Sequence, residues 1–222
     1  MSEATQTQTL EETLNKTDLG HVIYENRKLF FLILLGALVV AMGIIFWKQS
    51  QKSEAMETSL KVFEFQSGPW KNAKEDKLTP VDLVKSFELL PEEVRQSPTM
   101  VPVALEMGKF LYDKGNFNEA SQVLKGASSP KHQMISNFFL SLQSAVVLEK
   151  LGKIDEAISV LTPLAQVKEG LMPAKIYLEL GRLYLLKGDK SQAQTQFDYI
   201  LSTYPNDDFA KMAKLYRAQI GQ

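Results

Sequence analysis

The sequence predicts an all-α protein in which one apolar helix near the N-terminus precedes an α-solenoid of helical hairpins. Two observations lead to this prediction. The run Leu29–Trp47 contains no charged residue, and a glycine–alanine pattern recurs at nearly constant spacing closer to the C-terminus. Such spacing is typical of stacked supersecondary units, because each unit needs its neighbours in order to bury its apolar face.

The composition excludes several classes of function. The 222 residues include 25 Lys plus Arg and 26 Asp plus Glu, so no net basic charge attracts nucleic acid. Cysteine is absent, which excludes disulfides and thiol chemistry. A chain of this length has room for roughly one or two domains.

Residues 1–28 are expected to form a tail with a short helix. The beginning of the chain is polar and rich in Thr and Gln, a composition typical of disorder. From Asp18 to Lys28, the spacing of Leu19, Val22 and Ile23 favours a short helix that leads into the apolar run.

The apolar run, residues 29–47, is predicted to be a transmembrane helix. As a helix it would span about 28 Å, close to the roughly 30 Å hydrocarbon core of a bilayer. A cleaved signal peptide is the competing interpretation. Its apolar region would be about 7–15 residues long, with a small-residue cleavage site soon after. The best candidate site ends at Ala55, well beyond Trp47, so an uncleaved anchor is favoured.

The charges beside this span leave its orientation open. The positive-inside rule compares the Lys and Arg residues that flank a membrane helix. Three lie on each side, namely Lys16, Arg27 and Lys28 before the span and Lys48, Lys52 and Lys61 after it.

Residues 48–99 are expected to be linker helices and a loop. Apolar residues at helical spacing predict a helix over Gln49–Gln66, which could continue the transmembrane helix. The Gly-Pro pair and the charges of Ser67–Pro80 predict a loop. A second helix is predicted over Val81–Leu90, and a short turn or helix over Glu92–Gln96.

Residues 100–222 contain the repeating pattern. Gly115, Gly152 and Gly188 are each followed five residues later by an alanine, and then by a large apolar residue four positions further on. These glycines should end the first helix of each hairpin, where a positive φ is favoured. A small residue earlier in that helix, such as Gly181, should let the second helix approach closely. A closing helix is predicted over Phe209–Ile220.

The pattern resembles the tetratricopeptide repeat, whose period is 34 residues. In the last unit the family's signature positions are occupied by Tyr177, Leu180, Gly181, Tyr184, Ala193, Phe197, Ile200 and Pro205. The resemblance implies a tetratricopeptide-like α-solenoid of about three helical hairpins plus the closing helix. An irregular helical bundle is the alternative.

No pattern in the sequence indicates an enzyme. The two histidines, His21 and His132, are far apart in the chain, and no His-Glu-x-x-His motif or glycine-rich phosphate loop is present. The adjacent carboxylates Glu92–Glu93 and Asp207–Asp208 precede predicted helices, where negative charge suits the helix dipole. We therefore expect no catalytic residue, no cofactor, no metal site and no small-molecule substrate.

The resemblance instead implies a protein-binding groove on the inner face of the first helix of each hairpin. Its inward positions in this chain are Leu105, Lys109, Tyr112, Phe139, Leu142, Val146, Glu149, Leu178, Arg182 and Leu185. Family members that grip a chaperone's terminal carboxylate use fixed inward Lys, Asn and Arg residues, of which only Lys175 matches. The groove is expected to be open to a partner or filled by the chain's own Gln49–Gln66 or Phe209–Ile220 helix.

The order of parts also resembles the bacterial YfgM-like family of ancillary Sec-translocon subunits. The residues that carry this resemblance are Glu25–Asn26 before the span and Trp47–Lys48 at its end, followed by a linker helix and repeats. It implies a single-pass inner-membrane protein with residues 1–28 in the cytoplasm and repeats in the periplasm. The implied partners are the translocon, a membrane-anchored periplasmic isomerase-type chaperone and exported proteins. The alternative is a membrane-anchored scaffold or import receptor whose repeats face the cytosol.

Overall fold

The computed structural model describes residues 27–131, 133–167 and 170–220. Every regular element in those ranges is helical, so the predicted all-α class is confirmed. The chain divides into two units, Met1–Met56 and Glu57–Gln222, and the division falls inside the first helix, α1 (Arg27–Phe65). Residues 1–26, which include most of the expected tail and its short helix, lie outside the described residues.

In the first unit, the side chains from Phe31 to Gln49 are all exposed. Among the described helices, α1 is the one long and apolar enough to cross a membrane, as judged by length and composition alone. An exposed apolar surface of this kind is more stable in hydrocarbon than in water, because the transfer of apolar side chains out of water lowers the free energy. The helix expected over Gln49–Gln66 is part of α1.

The segment expected to be a loop, Ser67–Pro80, is largely helical, and this prediction is wrong. A π-helical turn (Gln66–Trp70) follows α1 and runs directly into α2 (Lys71–Lys74). Pro69 lies inside this turn and has no N–H to donate to an earlier carbonyl. In the same turn, the Ser67 hydroxyl donates to the carbonyl oxygens of Phe63, at 2.9 Å, and Glu64, at 3.3 Å. The turn also buries Trp70, whose ring packs edge-on against Phe110.

Two short helices lead into the repeats. Helix α3 (Pro80–Glu88) begins at Thr79, whose hydroxyl accepts a hydrogen bond from the Asp82 amide at 3.1 Å. Helix α4 (Glu92–Arg95) carries its two carboxylates in the first turn, as expected. Phe87 of α3 is fully buried and packs edge-on against Phe65.

Three helical hairpins and a closing helix complete the second unit, which confirms the predicted solenoid. The first hairpin is α5 (Val101–Asp113) and α6 (Phe117–Ala127), and the second is α7 (Met134–Lys150) and α8 (Ile154–Ala165). The third is α9 (Pro173–Lys187) and α10 (Lys190–Thr203), followed by α11 (Asp208–Ile220). The Asp207 carboxylate accepts from the Phe209 amide at 2.9 Å and so caps α11.

The glycines of the repeating pattern have the structural roles that the sequence predicted. Gly115, Gly152 and Gly188 have φ values of 78°, 73° and 85°, which allow the chain to reverse after each first helix. At Gly181, a Cβ atom would lie only 2.4 Å from the Phe197 ring, so α9 and α10 meet there without a side chain between them.

Candidate functional site

A groove of about 660 Å³ lies in the second unit. All its lining residues but one come from the first helices of the three hairpins, α5, α7 and α9, and the exception is Leu161 of α8. The lining residues are Pro102, Leu105, Glu106, Lys109, Tyr112, Asp113, Phe139, Leu142, Gln143, Ala145, Val146, Val147, Leu161, Lys175, Glu179, Arg182 and Leu183. We call this feature the groove.

Helices α5 and α7 supply most of the apolar surface. Phe139 and Val146 lie seven residues apart on one face of α7 and remain 47% and 43% exposed. The side-chain amide of Gln143 donates to the Leu105 carbonyl at 3.0 Å, which ties α7 to α5 beneath that surface. This face is held in place by its neighbours yet is open to an apolar side chain from another molecule.

The α9 side of the groove carries a closed network of charges. Arg182 makes hydrogen bonds of 2.8 and 2.5 Å to the Glu149 carboxylate and another of 2.9 Å to Glu179. Lys175 pairs with the other oxygen of Glu179 at 2.5 Å. The two cations therefore neutralise the two carboxylates.

These contacts shift the ionisation of both central groups. The hydrogen bonds to Glu149, together with the pairing to Glu179, raise the pKa of the Arg182 guanidinium above its ordinary value despite burial. Burial raises the pKa of Glu179, but the hydrogen bonds and charges of Lys175 and Arg182 outweigh burial, so its pKa is lowered overall. Both shifts favour the charged forms of Arg182 and Glu179.

The α5 rim has a different charge arrangement. Lys109 pairs with Asp113 on the next helical turn at 2.7 Å. The Glu106 carboxylate accepts a hydrogen bond from the Trp70 indole N–H at 3.3 Å. No Lys or Arg among the described residues pairs with Glu106 within 4.0 Å, so its negative charge faces the groove without a cation.

Seven of the sequence-predicted groove residues line the groove together: Leu105, Lys109, Tyr112, Phe139, Leu142, Val146 and Arg182. Glu149 does not line the groove, but its carboxylate accepts two hydrogen bonds from Arg182. The sequence missed Glu106, because its partner Trp70 lies in a segment expected to be a loop, and Gln143, whose contact with Leu105 crosses from one hairpin to another.

Leu178 and Leu185 do not belong to the groove surface, and their expected placement there is wrong. Leu178 is buried in a cluster with Ala210 and Ala213 of α11, and Leu185 packs against the same cluster. The closing helix covers this part of α9. Within the described residues of the second unit, neither the end of α1 nor α11 contributes to the groove lining, so the groove is not filled by α11 as one alternative from the sequence had it.

The structure offers no metal site within the described residues, since no group of three His, Asp or Glu side chains is suitably placed there. His21 and His132 lie outside those residues. The charges of Lys175 and Arg182, which a terminal carboxylate would need, are satisfied by Glu179 and Glu149. The groove therefore lacks the free cations of a carboxylate clamp.

Stacked helical hairpins with an open inner face define a repeat protein of the interaction-scaffold class. The chain belongs to the tetratricopeptide repeat-like domain family, whose model matches residues 23–174. A second model, described as tetratricopeptide repeat, matches residues 176–207. Repeats of this kind bind other proteins and are typically non-catalytic. The chain is thus a protein-interaction scaffold with one apolar N-terminal helix.

Several solved structures are similar to this chain at low sequence identity. PcrH from Pseudomonas aeruginosa is 13% identical, with 57% of this chain and 95% of that chain covered and a TM-score of 0.47. The C-terminal tetratricopeptide domain of a Plasmodium falciparum FK506-binding protein is 16% identical, with coverages of 61% and 96% and a TM-score of 0.45. The MamA protein is 18% identical, with coverages of 74% and 87% and a TM-score of 0.44. No curated protein sequence matches the chain significantly.

Proposed function

We propose that the protein is a non-enzymatic, membrane-tethered adaptor that holds other proteins in the groove between α5, α7 and α9. The observation that carries this proposal is the combination of an exposed apolar face on α7 with charges that are almost all paired internally. Such a surface favours contact with apolar side chains of a partner. Their burial releases water, and few unpaired charges are buried with them. The open groove is large enough for several side chains of an extended segment.

A membrane tether on the same chain makes weak binding effective. Residues 29–47 would confine the repeats to the membrane surface, where a partner held at the same place is present at high local concentration. A groove of modest affinity then captures segments that emerge nearby and releases them again. This behaviour suits a hand-over protein better than a storage protein.

We further propose the Sec translocon of the bacterial inner membrane as the site of action. The support is the resemblance to YfgM-like ancillary subunits in domain order and in Glu25–Asn26 before the span. Residues 1–28 are then cytoplasmic and the repeats periplasmic. A membrane-anchored periplasmic isomerase-type chaperone is the proposed second partner, with exported proteins as clients.

Orientation is the first test of this proposal. A phosphatase that is active only outside the cytoplasm should be fused after Gln222, and a β-galactosidase that is active only inside should be fused at the same point. High phosphatase and low galactosidase activity in intact cells are expected. The reverse pattern would overturn the translocon assignment while leaving the scaffold intact.

Partner contact is the second test. A photo-crosslinking residue at Phe139 should yield adducts that contain a translocon subunit or the chaperone. The same residue at Leu186, which is exposed on α9 but does not line the groove, should yield few. Equal yields at the two positions would contradict binding through the groove.

The second candidate is a membrane-anchored scaffold or import receptor with cytosol-facing repeats. The equal numbers of flanking cations favour neither orientation, which keeps this candidate open. A receptor that docks a chaperone by its terminal carboxylate is disfavoured, because Lys175 is already paired with Glu179. The fusion experiment decides between the two candidates.

A further inference from the structure

We propose that the groove selects internal peptide segments in which a large apolar side chain has a Lys or Arg close by in sequence. The apolar side chain packs on the exposed face of α7, and the cation pairs with Glu106 on the α5 rim. This inference rests on the proposed function of the groove and specifies the chemistry of its partner.

The charge balance of the lining leads to this preference. Every cation on the groove surface already has a carboxylate partner: Lys109 has Asp113, Lys175 has Glu179, and Arg182 has both Glu179 and Glu149. Glu106 differs, because only the neutral Trp70 indole donates to its Oε2 atom. The groove therefore offers one negative charge and no free positive charge.

The charge balance of the groove also favours internal peptide segments over the C-terminal end of a partner chain. A terminal carboxylate would find only cations that a carboxylate of the chain already holds, and it would be repelled by Glu106. An ammonium or guanidinium group would gain a carboxylate partner without breaking any contact, since the Glu106 Oε1 atom has no donor among the described residues. The apolar face of α7 would fix the position of the partner's apolar side chain, and the charge of Glu106 would favour a Lys or Arg beside it.

The position of Trp70 provides a built-in reporter. The chain has two tryptophans, Trp47 and Trp70, so Trp47→Phe leaves Trp70 as the sole indole. The Trp70 ring is buried, and its N–H touches the carboxylate that would receive the cation. Binding at Glu106 should therefore change Trp70 emission, whereas binding elsewhere in the groove should not.

The test uses the full-length Trp47→Phe protein in lipid nanodiscs, with empty nanodiscs as the blank. Labelled peptides with blocked ends share one apolar core and differ only in a flanking Lys, Ala or Glu. Fluorescence anisotropy should show the Lys peptide binding about two- to fivefold more tightly than the Ala peptide, as expected for an exposed ion pair. The Glu peptide should bind more weakly than both, and added salt should reduce these differences.

The matched variants are Glu106→Gln and Glu93→Gln. Glutamine at position 106 still offers an oxygen to Trp70 but removes the charge, so the Lys and Ala peptides should bind equally. Glu93 is exposed on α4, outside the groove, and its replacement should preserve the preference. Unequal binding that persists in Glu106→Gln would overturn the assignment to this residue.

The remaining outcomes separate this inference from the proposed function. If the Lys, Ala and Glu peptides bind the parent protein equally, and Phe139→Ser with Val146→Ser weakens all three, the charge preference is wrong and the groove function stands. If no peptide binds, or if that double variant binds them unchanged, the proposed groove function fails and the preference fails with it.

Discussion

The Arg182 guanidinium and the Glu149 carboxylate form two hydrogen bonds of 2.8 and 2.5 Å, joining α9 of the third hairpin to α7 of the second. Both side chains are about three-quarters shielded from solvent. The planar fork of arginine matches the two carboxylate oxygens, a geometry that lysine cannot provide. The contact therefore sets the spacing of two helices that line the groove.

Replacing Arg182 with Ala should lower the free energy of unfolding by about 1–2 kcal/mol, since it leaves Glu149 without a cation and Glu179 with Lys175 alone. Arg182→Lys should recover only part of this loss. Urea denaturation followed by circular dichroism measures both changes. Lys211→Ala is the control, because its pair with Asp208 is almost fully exposed and should leave stability nearly unchanged. Equal losses in the Arg182 and Lys211 variants would contradict a special role for the network.

Gly181→Ala should destabilise the third hairpin by about 1–3 kcal/mol, because the new methyl group would meet the Phe197 ring. Thermal denaturation should show a lower midpoint. Gly68→Ala is the matched control, since its added Cβ meets no atom within 4 Å and alanine is the better helix former.

The clash also predicts a specific rescue. Phe197→Leu creates space at the same point, so the double variant with Gly181→Ala should be more stable than the sum of the two single effects implies. Strict additivity would indicate that α9 and α10 separate easily and that the close approach is unimportant.

The Glu179 carboxylate should make stability depend on pH below about pH 4.5, its ordinary pKa. Its folded-state pKa is lower than its unfolded-state pKa, so it stabilises the fold above that window and loses the contribution as pH falls through the folded value. Glu179→Gln should therefore be less stable than the parent at pH 7, and this gap should narrow under acid conditions. Urea midpoints measured at both pH values provide the check, and a gap independent of pH would refute the assignment.

The features predictable from the sequence were those fixed by local, repeated constraints. Gly188 needs a positive φ and Gly181 needs a close approach in any hairpin of this kind, so spacing alone located both. The Gly-Pro pair led to a wrong prediction because a proline usually breaks a helix. Here the chain continues through Pro69 as a π-helical turn, and the Ser67 hydroxyl donates to the carbonyls of Phe63 and Glu64.

The candidate site was less predictable because it depends on contacts between distant parts of the chain. The Arg182–Glu149 pair joins residues of different hairpins, and the Trp70–Glu106 contact joins the linker to the first hairpin. Leu178 was misplaced because a regular register treats all hairpins alike, while the third one alone is covered by the closing helix.

The exposed apolar face of α7 gives the most direct test of the groove. Phe139→Ser with Val146→Ser should reduce affinity for the partner at least about 30-fold, because apolar anchors at an interface centre contribute about 2 kcal/mol or more. Neither side chain belongs to the buried core, since Phe139 and Val146 are 47% and 43% exposed, so the variant should stay close to the parental unfolding midpoint. Quantitative crosslinking or peptide anisotropy gives the affinity.

The control for this prediction removes the same kind of surface elsewhere. Leu186→Ser with Met212→Ser replaces two exposed apolar side chains outside the groove and should leave affinity unchanged. If the two double variants lose affinity equally, general hydrophobicity accounts for binding. If only the α7 variant loses it, while both stay folded, the partner is held between α5, α7 and α9.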